Sequence, residues 1–221
     1  MKRHIKNYIN IICYNNIYIM SLTDTQMKTL LKKMNVPLFD ILFKDEMPNK
    51  ICYNKAYIIN LDDEFDEKTG MLNSGSHWTC LMVMKYKDGK IKPFYFDSYG
   101  CPPPESIIEF VKTKTGQKLP YNTKNVQSLM GEVCGFFVCA LLHYVFAYTG
   151  RANDVYTDAE NFLFFFDDLN VSIDFKGNEY ILKHFFQSSD AKMRKEIDVG
   201  IGGLDRMIVD NGQIDLMESV L

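Results

Sequence analysis

The sequence predicts an α+β fold in which a central mixed β-sheet packs against a buried helix carrying a cysteine at its N-terminus, with further helices around it. Three observations lead there. From His77 to Tyr99, apolar and aromatic strand formers lie on both sides of Lys87-Asp88-Gly89-Lys90, and Asp-Gly is a strong hairpin signal. Gly135–Tyr148 is apolar on nearly every face (Phe136, Phe137, Val138, Leu141, Leu142, Val145, Phe146) and stops at Gly150, the pattern of an enclosed helix. Shorter amphipathic stretches on either side supply the covering helices.

In chain order, residues 1–20 lack periodicity, and Met20-Ser21 offers a second translation start. With Thr23 or Asp24 as N-cap, Met27, Leu30, Leu31 and Met34 recur at helical spacing and predict an amphipathic helix ended before Pro37. Tyr57–Leu61 reads as a short buried strand, and the 77–99 hairpin follows. After the break at Cys101-Pro102-Pro103-Pro104, Glu105–Thr113 is helical, and Val126–Glu132 is a loop leading into the buried helix. Thr157 with Glu160 forms a capping box for a helix running through Leu163–Phe166. From Gln187 onward the chain turns polar, so the expected organisation is an N-terminal extension 1–20, one domain 21–187 and a C-terminal extension 188–221.

Composition narrows the classes. Hydrophobic residues make up 47% and charged residues 24%, and 16 Phe and 13 Tyr supply large apolar surfaces, enough for a packed core. The net charge of −3 gives no global basic field and argues against a dedicated nucleic-acid binder. Six cysteines (Cys13, Cys52, Cys80, Cys101, Cys134, Cys139) lack the paired spacing of a disulfide framework and follow no secretory signal, so they read as reduced thiols. Lys2, Arg3 and Lys6 precede an Ile-rich stretch, but Asn7, Asn10, Asn15 and Asn16 interrupt it. No apolar run reaches the roughly 18 residues of a membrane span. The expectation is a soluble, intracellular monomer without a membrane partner.

Cys134 sits at the first turn of the buried helix, where partial positive charge favours thiolate over thiol; a small buried residue is the plainer alternative. The hairpin adds His77 and Asp97. With a two-residue Asp88-Gly89 turn, residue i pairs with 177−i, which brings both to one end of the hairpin but on opposite faces. A bulge at Pro93 is the expected remedy. Cys139 and His143 have a metal-like spacing of four without further ligands, so no metal site is expected. His184 lies downstream of Cys134, as in papain-like order, without an Asn or Asp context; His4 falls in the N-terminal extension.

The strings Gly75-Ser76-His77-Trp78, Phe96-Asp97-Ser98-Tyr99-Gly100, Val126-Gln127 and, seven positions after Gln127, Cys134-Gly135-Phe136-Phe137 resemble the adenovirus maturation protease family, adenain. That family belongs with the ubiquitin-like-protein proteases, which share the order His, acid, Gln, Cys. The match spans roughly residues 24–186, and Asp-Ser-Tyr-Gly with the triple proline looks most like versions from virophages and Polinton-like elements. Asp97 stands where adenovirus members tend to carry Glu, and the spacing from His77 to the acid is a few residues longer.

The resemblance implies a cysteine endopeptidase with His77 as base, Asp97 as its orienting acid and Cys134 as nucleophile. It further implies that the Gln127 amide and the Cys134 N–H serve the oxyanion, and that Trp78 lines the substrate groove. The implied task is trimming of viral capsid or core precursors at Gly-Gly or Gly-X sites during virion maturation, in the virus factory of the infected cell and in the virion. No cofactor is needed for the chemistry, and a peptide or DNA is the suggested activator. A deconjugating isopeptidase of ubiquitin-like modifiers shares the same site, and a non-catalytic scaffold could share the fold; the complete His-Asp-Gln-Cys set speaks against the scaffold. Gly202-Gly203 in the tail is a candidate for self-cleavage that would release Leu204–Leu221.

Overall fold

The computed structural model describes residues 22–73, 75–128, 131–148, 154–172 and 175–188. Residues 1–20, with His4 and Met20, and the tail, with Gly202-Gly203, lie outside them. Two compact units divide the chain, Met1–Leu182 and Lys183–Leu221. Of the second, only the last turns of one helix are described.

The first helix, α1 (Asp24–Lys33), begins at Thr23, whose hydroxyl accepts the Gln26 N–H while the Gln26 side chain accepts the Thr23 N–H. This reciprocal cap satisfies two end groups, and the helix buries Met27 and Leu31. Strands β1 (Phe39–Phe43), β2 (Lys55–Asn60), β3 (Trp78–Lys85) and β4 (Ile91–Phe96) follow. They form one sheet in that order, with β1 parallel to β2 and the other neighbours antiparallel. Among the described residues there are five α-helices and a mixed four-stranded sheet, and the fold is α+β. The periodicity of the sequence does not reveal β1: its residues are all half-buried at the sheet edge, so Phe39-Asp40-Ile41-Leu42-Phe43 never alternates cleanly.

The two central strands are covered on both faces, which explains their almost unbroken apolar runs. On one face Tyr57, Ile59, Leu81, Val83 and Tyr95 pack with Ile107 and Val111 of α2 (Glu105–Thr115). On the other, Cys80 and its same-face neighbours meet α3 (Cys134–His143), every residue of which is buried. The expected 135–148 helix is thus α-helical to His143 and continues as a single π-helical turn, Tyr144–Tyr148. Helix α4 (Val155–Phe164) is capped by Asp154, whose carboxylate accepts the Tyr156 and Thr157 N–H groups. That corrects the Thr157–Glu160 capping box, because Asp154 already reaches the free donors of the first turn. Edge-on contacts of Phe162 with Phe96 and of Phe166 with Phe137 fasten this region to the sheet and to α3. Helix α5 (Phe175–Ser188) closes the described chain.

The hairpin differs from expectation in a way that matters for the site. Residue i pairs with 176−i without interruption from Cys80 opposite Phe96 to Lys85 opposite Ile91. The Tyr86 N–H bonds to the Lys90 carbonyl across the loop Lys87-Asp88-Gly89, and Gly89 holds a left-handed φ of 82°. A glycine ending such a loop sets the register that a two-residue turn would miss by one. No bulge is needed. Pro93 pairs regularly with Val83 on the edge strand, and Tyr95, two residues on, sends its N–H away from β3 to the Pro120 carbonyl. The N–H that Pro93 lacks is therefore one that would point outward. Continued by one step, this register sets Asp97 against Thr79, so His77 and Asp97 share a parity and become diagonal neighbours.

Candidate active site

His77 immediately precedes β3 and Asp97 immediately follows β4. The His77 carbonyl accepts the Leu61 N–H at 3.0 Å, which extends the β2 pairing and fixes the base of its side chain. Its Nε2 lies 2.9 Å from Asp97 Oδ1, a carboxylate only 1% exposed. The Tyr99 N–H donates to the same oxygen at 2.7 Å. Asn122 grips the backbone of Asp97 from the other side, accepting its N–H at 3.0 Å and donating to its carbonyl at 2.7 Å. Acid and imidazole are held by their frame before any substrate arrives.

Cys134 is the first residue of α3, and its thiol is close enough to the His77 ring to help raise the imidazole. Because Nε2 faces Asp97, Nδ1 is the nitrogen left for sulfur. Burial works against a charged imidazole here, but the hydrogen bond to Asp97 and the influence of the Asp97 and Cys134 charges outweigh it and raise His77 to about 9. The N–H groups of a helix's first turn have no intrahelical acceptor, and Val133 caps α3 with no side chain. Cys134 thus sits at the positive end of the helix dipole. Cys80 and Cys139 are fully buried, and burial pushes their thiols up. The described cysteines Cys52, Cys80, Cys101, Cys134 and Cys139 are all free.

Gln127, 1% exposed, is laced to the segment after β4. The Val126 and Gln127 N–H groups both donate to the Ser98 carbonyl, at 2.8 and 3.1 Å. The Gln127 Oε1 accepts the Ser98 hydroxyl at 2.7 Å, and its Nε2 donates to Tyr99 Oη at 3.1 Å and to the Gly131 carbonyl. Asn178 of α5 secures the same loop by donating to the Val126 carbonyl at 3.1 Å. Both Gln127 amide hydrogens thus have acceptors, and an oxyanion bound there would replace the Gly131 carbonyl. The arrangement offers a buried imidazole between an acid and a thiol, with an amide of fixed orientation nearby.

No family model and no curated protein matches the chain. Among solved structures, one described as the crystal structure of the de-sumoylating protease aligns over 97% of this chain and 83% of its own, with 13% identity and a TM-score of 0.30. Overlap at that level carries no inference about activity.

Trp78, expected along the substrate groove, is 7% exposed, and its indole N–H donates to the Leu22 carbonyl at 2.9 Å. The ring lies near the entrance to α1 and the start of α3 and is largely buried. His143 is buried with Nδ1 2.9 Å from the Met34 carbonyl, which ties α3 to the end of α1. His184 belongs to the second unit. Among the described residues, no group of three or more His, Cys, Asp or Glu could hold a metal ion, and no helix is long and apolar enough to cross a membrane. Ser98, Tyr99 and Asn122 are the site residues that sequence reasoning missed. The first two stood in the Asp-Ser-Tyr-Gly string itself, without a role of their own.

Proposed function

We propose that the chain is a cysteine endopeptidase. The observation that carries the reading is the His77 imidazole, hydrogen-bonded to a buried carboxylate and raised by the nearby Cys134 thiol at a helix N-terminus. In this reading the Cys134 thiolate attacks the scissile carbonyl, and the His77 imidazolium gives its proton to the departing amine, leaving a thioester. A water molecule, deprotonated by His77, then attacks the thioester, releases the acid product and returns the proton to the pair. The Cys134 N–H and the Gln127 amide serve the oxyanion in both steps, each good donor contributing about 3 kcal/mol. Trp78, largely buried, would offer substrate little surface.

The motif resemblance is the ground for the finer part of the proposal. The substrates are viral capsid or core precursors, cut at Gly-Gly or Gly-X during virion maturation in the infected cell and in the particle. A peptide or DNA serves as activator. Mass spectrometry of a capsid precursor co-expressed with wild type, Cys134→Ala, His77→Ala or His184→Ala tests the assignment. Cleavage after small residues by wild type and His184→Ala, and by neither of the other two, is expected. A His77→Ala enzyme of full activity would refute the assignment, and release of ubiquitin-like fusions with the precursor left intact would make the protein a deconjugase.

A further inference from the structure

One residue touches three of the four groups used above. The Tyr99 ring stacks on the His77 imidazole, with centroids 4.6 Å apart and planes inclined by 25°. Its backbone N–H donates to Asp97 Oδ1 at 2.7 Å, and its hydroxyl oxygen accepts from Gln127 Nε2 at 3.1 Å. We propose that Tyr99 is a positioning residue that couples the imidazole to the oxyanion amide, so that proton transfer and oxyanion binding are set by one ring; this rests on the peptidase reading.

Two freedoms have to be removed for the site to work, and Tyr99 bears on both. An imidazole bonded to Asp97 through Nε2 can still swing about that bond and carry Nδ1 away from sulfur. A ring lying on its face blocks the swing, and the π-face of a phenol also favours the protonated imidazole. The amide of Gln127 can flip end for end. Ser98 Oγ holds Oε1 at 2.7 Å and Tyr99 Oη holds one Nε2 hydrogen, so the second hydrogen has a single direction, the one now taken by Gly131. Asp97, Ser98 and Tyr99 are consecutive, so one short turn after β4 supplies the acid, the clamp on the amide oxygen and the clamp on both ring and amide nitrogen.

The two contacts separate by substitution. Tyr99→Phe keeps the stack and loses the hydroxyl. It should lower kcat about tenfold with KM nearly unchanged and the pH profile in place, and should add almost nothing to Gln127→Ala, because groups acting through one another are not additive. Tyr99→Leu loses the stack as well, and should also move the alkaline limb of kcat/KM to lower pH, with the same displacement in the His77 titration followed by NMR. A tenfold loss from Tyr99→Phe that persists undiminished in the Gln127→Ala background, together with an unmoved His77 titration in Tyr99→Leu, would overturn the proposal. The titration needs no substrate. If wild type and Cys134→Ala prove equally inactive on every peptide, the peptidase reading fails, and an unmoved titration would still reject the hold of Tyr99 on the imidazole while a displaced one would uphold it.

Discussion

At pH 7 an imidazole with a pKa of about 9 is protonated, so His77 rests as an imidazolium beside Cys134. Asp97 and Cys134 raise it against the opposing effect of burial, and removing the acid should undo part of that. Asp97→Asn should therefore move the alkaline limb of kcat/KM below pH 9 and lower its plateau by about a hundredfold without abolishing it. Rates measured from pH 5 to 10 on a peptide substrate would show this; a limb left in place would mean that another group sustains the charge. The same shift acts on stability. The folded chain holds the His77 proton up to about 9, whereas the unfolded chain releases it near the ordinary 6.5. The contribution is complete below pH 6.5, declines as pH rises and is gone above about 9, and it amounts to ~3 kcal/mol at about 1.4 kcal/mol per pKa unit. Urea unfolding of wild type and His77→Gln across that window should give a falling curve for the first and a flatter one for the second. His77, Asp97, Gln127 and Cys134 could be picked out because each stands in a recognisable string of neighbours. Asn122 could not, since its partner lies 25 positions earlier and an Asn between Tyr and Thr announces no long-range contact.

The hairpin and the segment after it decide where these side chains meet. Asp-Gly in the sequence correctly locates the turn, but the choice between two and three loop residues depends on which glycine conformation the strands require, and periodicity does not report that. One residue of register separates a site with His77 and Asp97 on a common face from one with them on opposite faces. Helix α4 was displaced for a related reason: Thr157 and Glu160 satisfy a local pattern, yet Asp154 is the side chain in reach of the free N–H groups. Asn122 fastens the Asp97 backbone outside the sheet, so Asn122→Ala leaves the buried Asp97 N–H without a partner, while the Asp97 carbonyl keeps the Gly100 N–H. A loss of about 1–3 kcal/mol is expected. Because Asp97 then moves, kcat should fall more than KM rises, and thermal melts together with steady-state kinetics on the same preparations would show both. A variant as stable and as active as wild type would mean that the loop around residue 122 contributes nothing to holding the acid.

Across the molecule, sheet and helices enclose the site within the unit Met1–Leu182, and the polar tail belongs to the second unit. Central strands and the buried helix were legible because enclosure on both sides writes long apolar runs. Edge strand β1 was not, since half-buried surfaces mix polar and apolar residues without a clear period. The tail carries its own test. If Gly202-Gly203 enters the site of this or another copy, the intact mass of wild type will fall by Leu204–Leu221 on incubation while Cys134→Ala keeps its full length; equal masses would assign the tail another purpose. The hairpin also divides the chemistry between its two arms. His77 lies on the N-terminal side of the exposed loop Lys87-Asp88-Gly89, and Asp97, Gln127 and Cys134 lie on the C-terminal side, at the far end of strands about 3.3 Å per residue long. If the peptidase reading holds, a chain opened at that loop yields one piece with the base but no nucleophile and one with the nucleophile but no base, each silent alone. Fused to two proteins that bind each other, the halves would regain cleavage only on reassociation, making the turn a natural seam for a split-enzyme reporter of proximity.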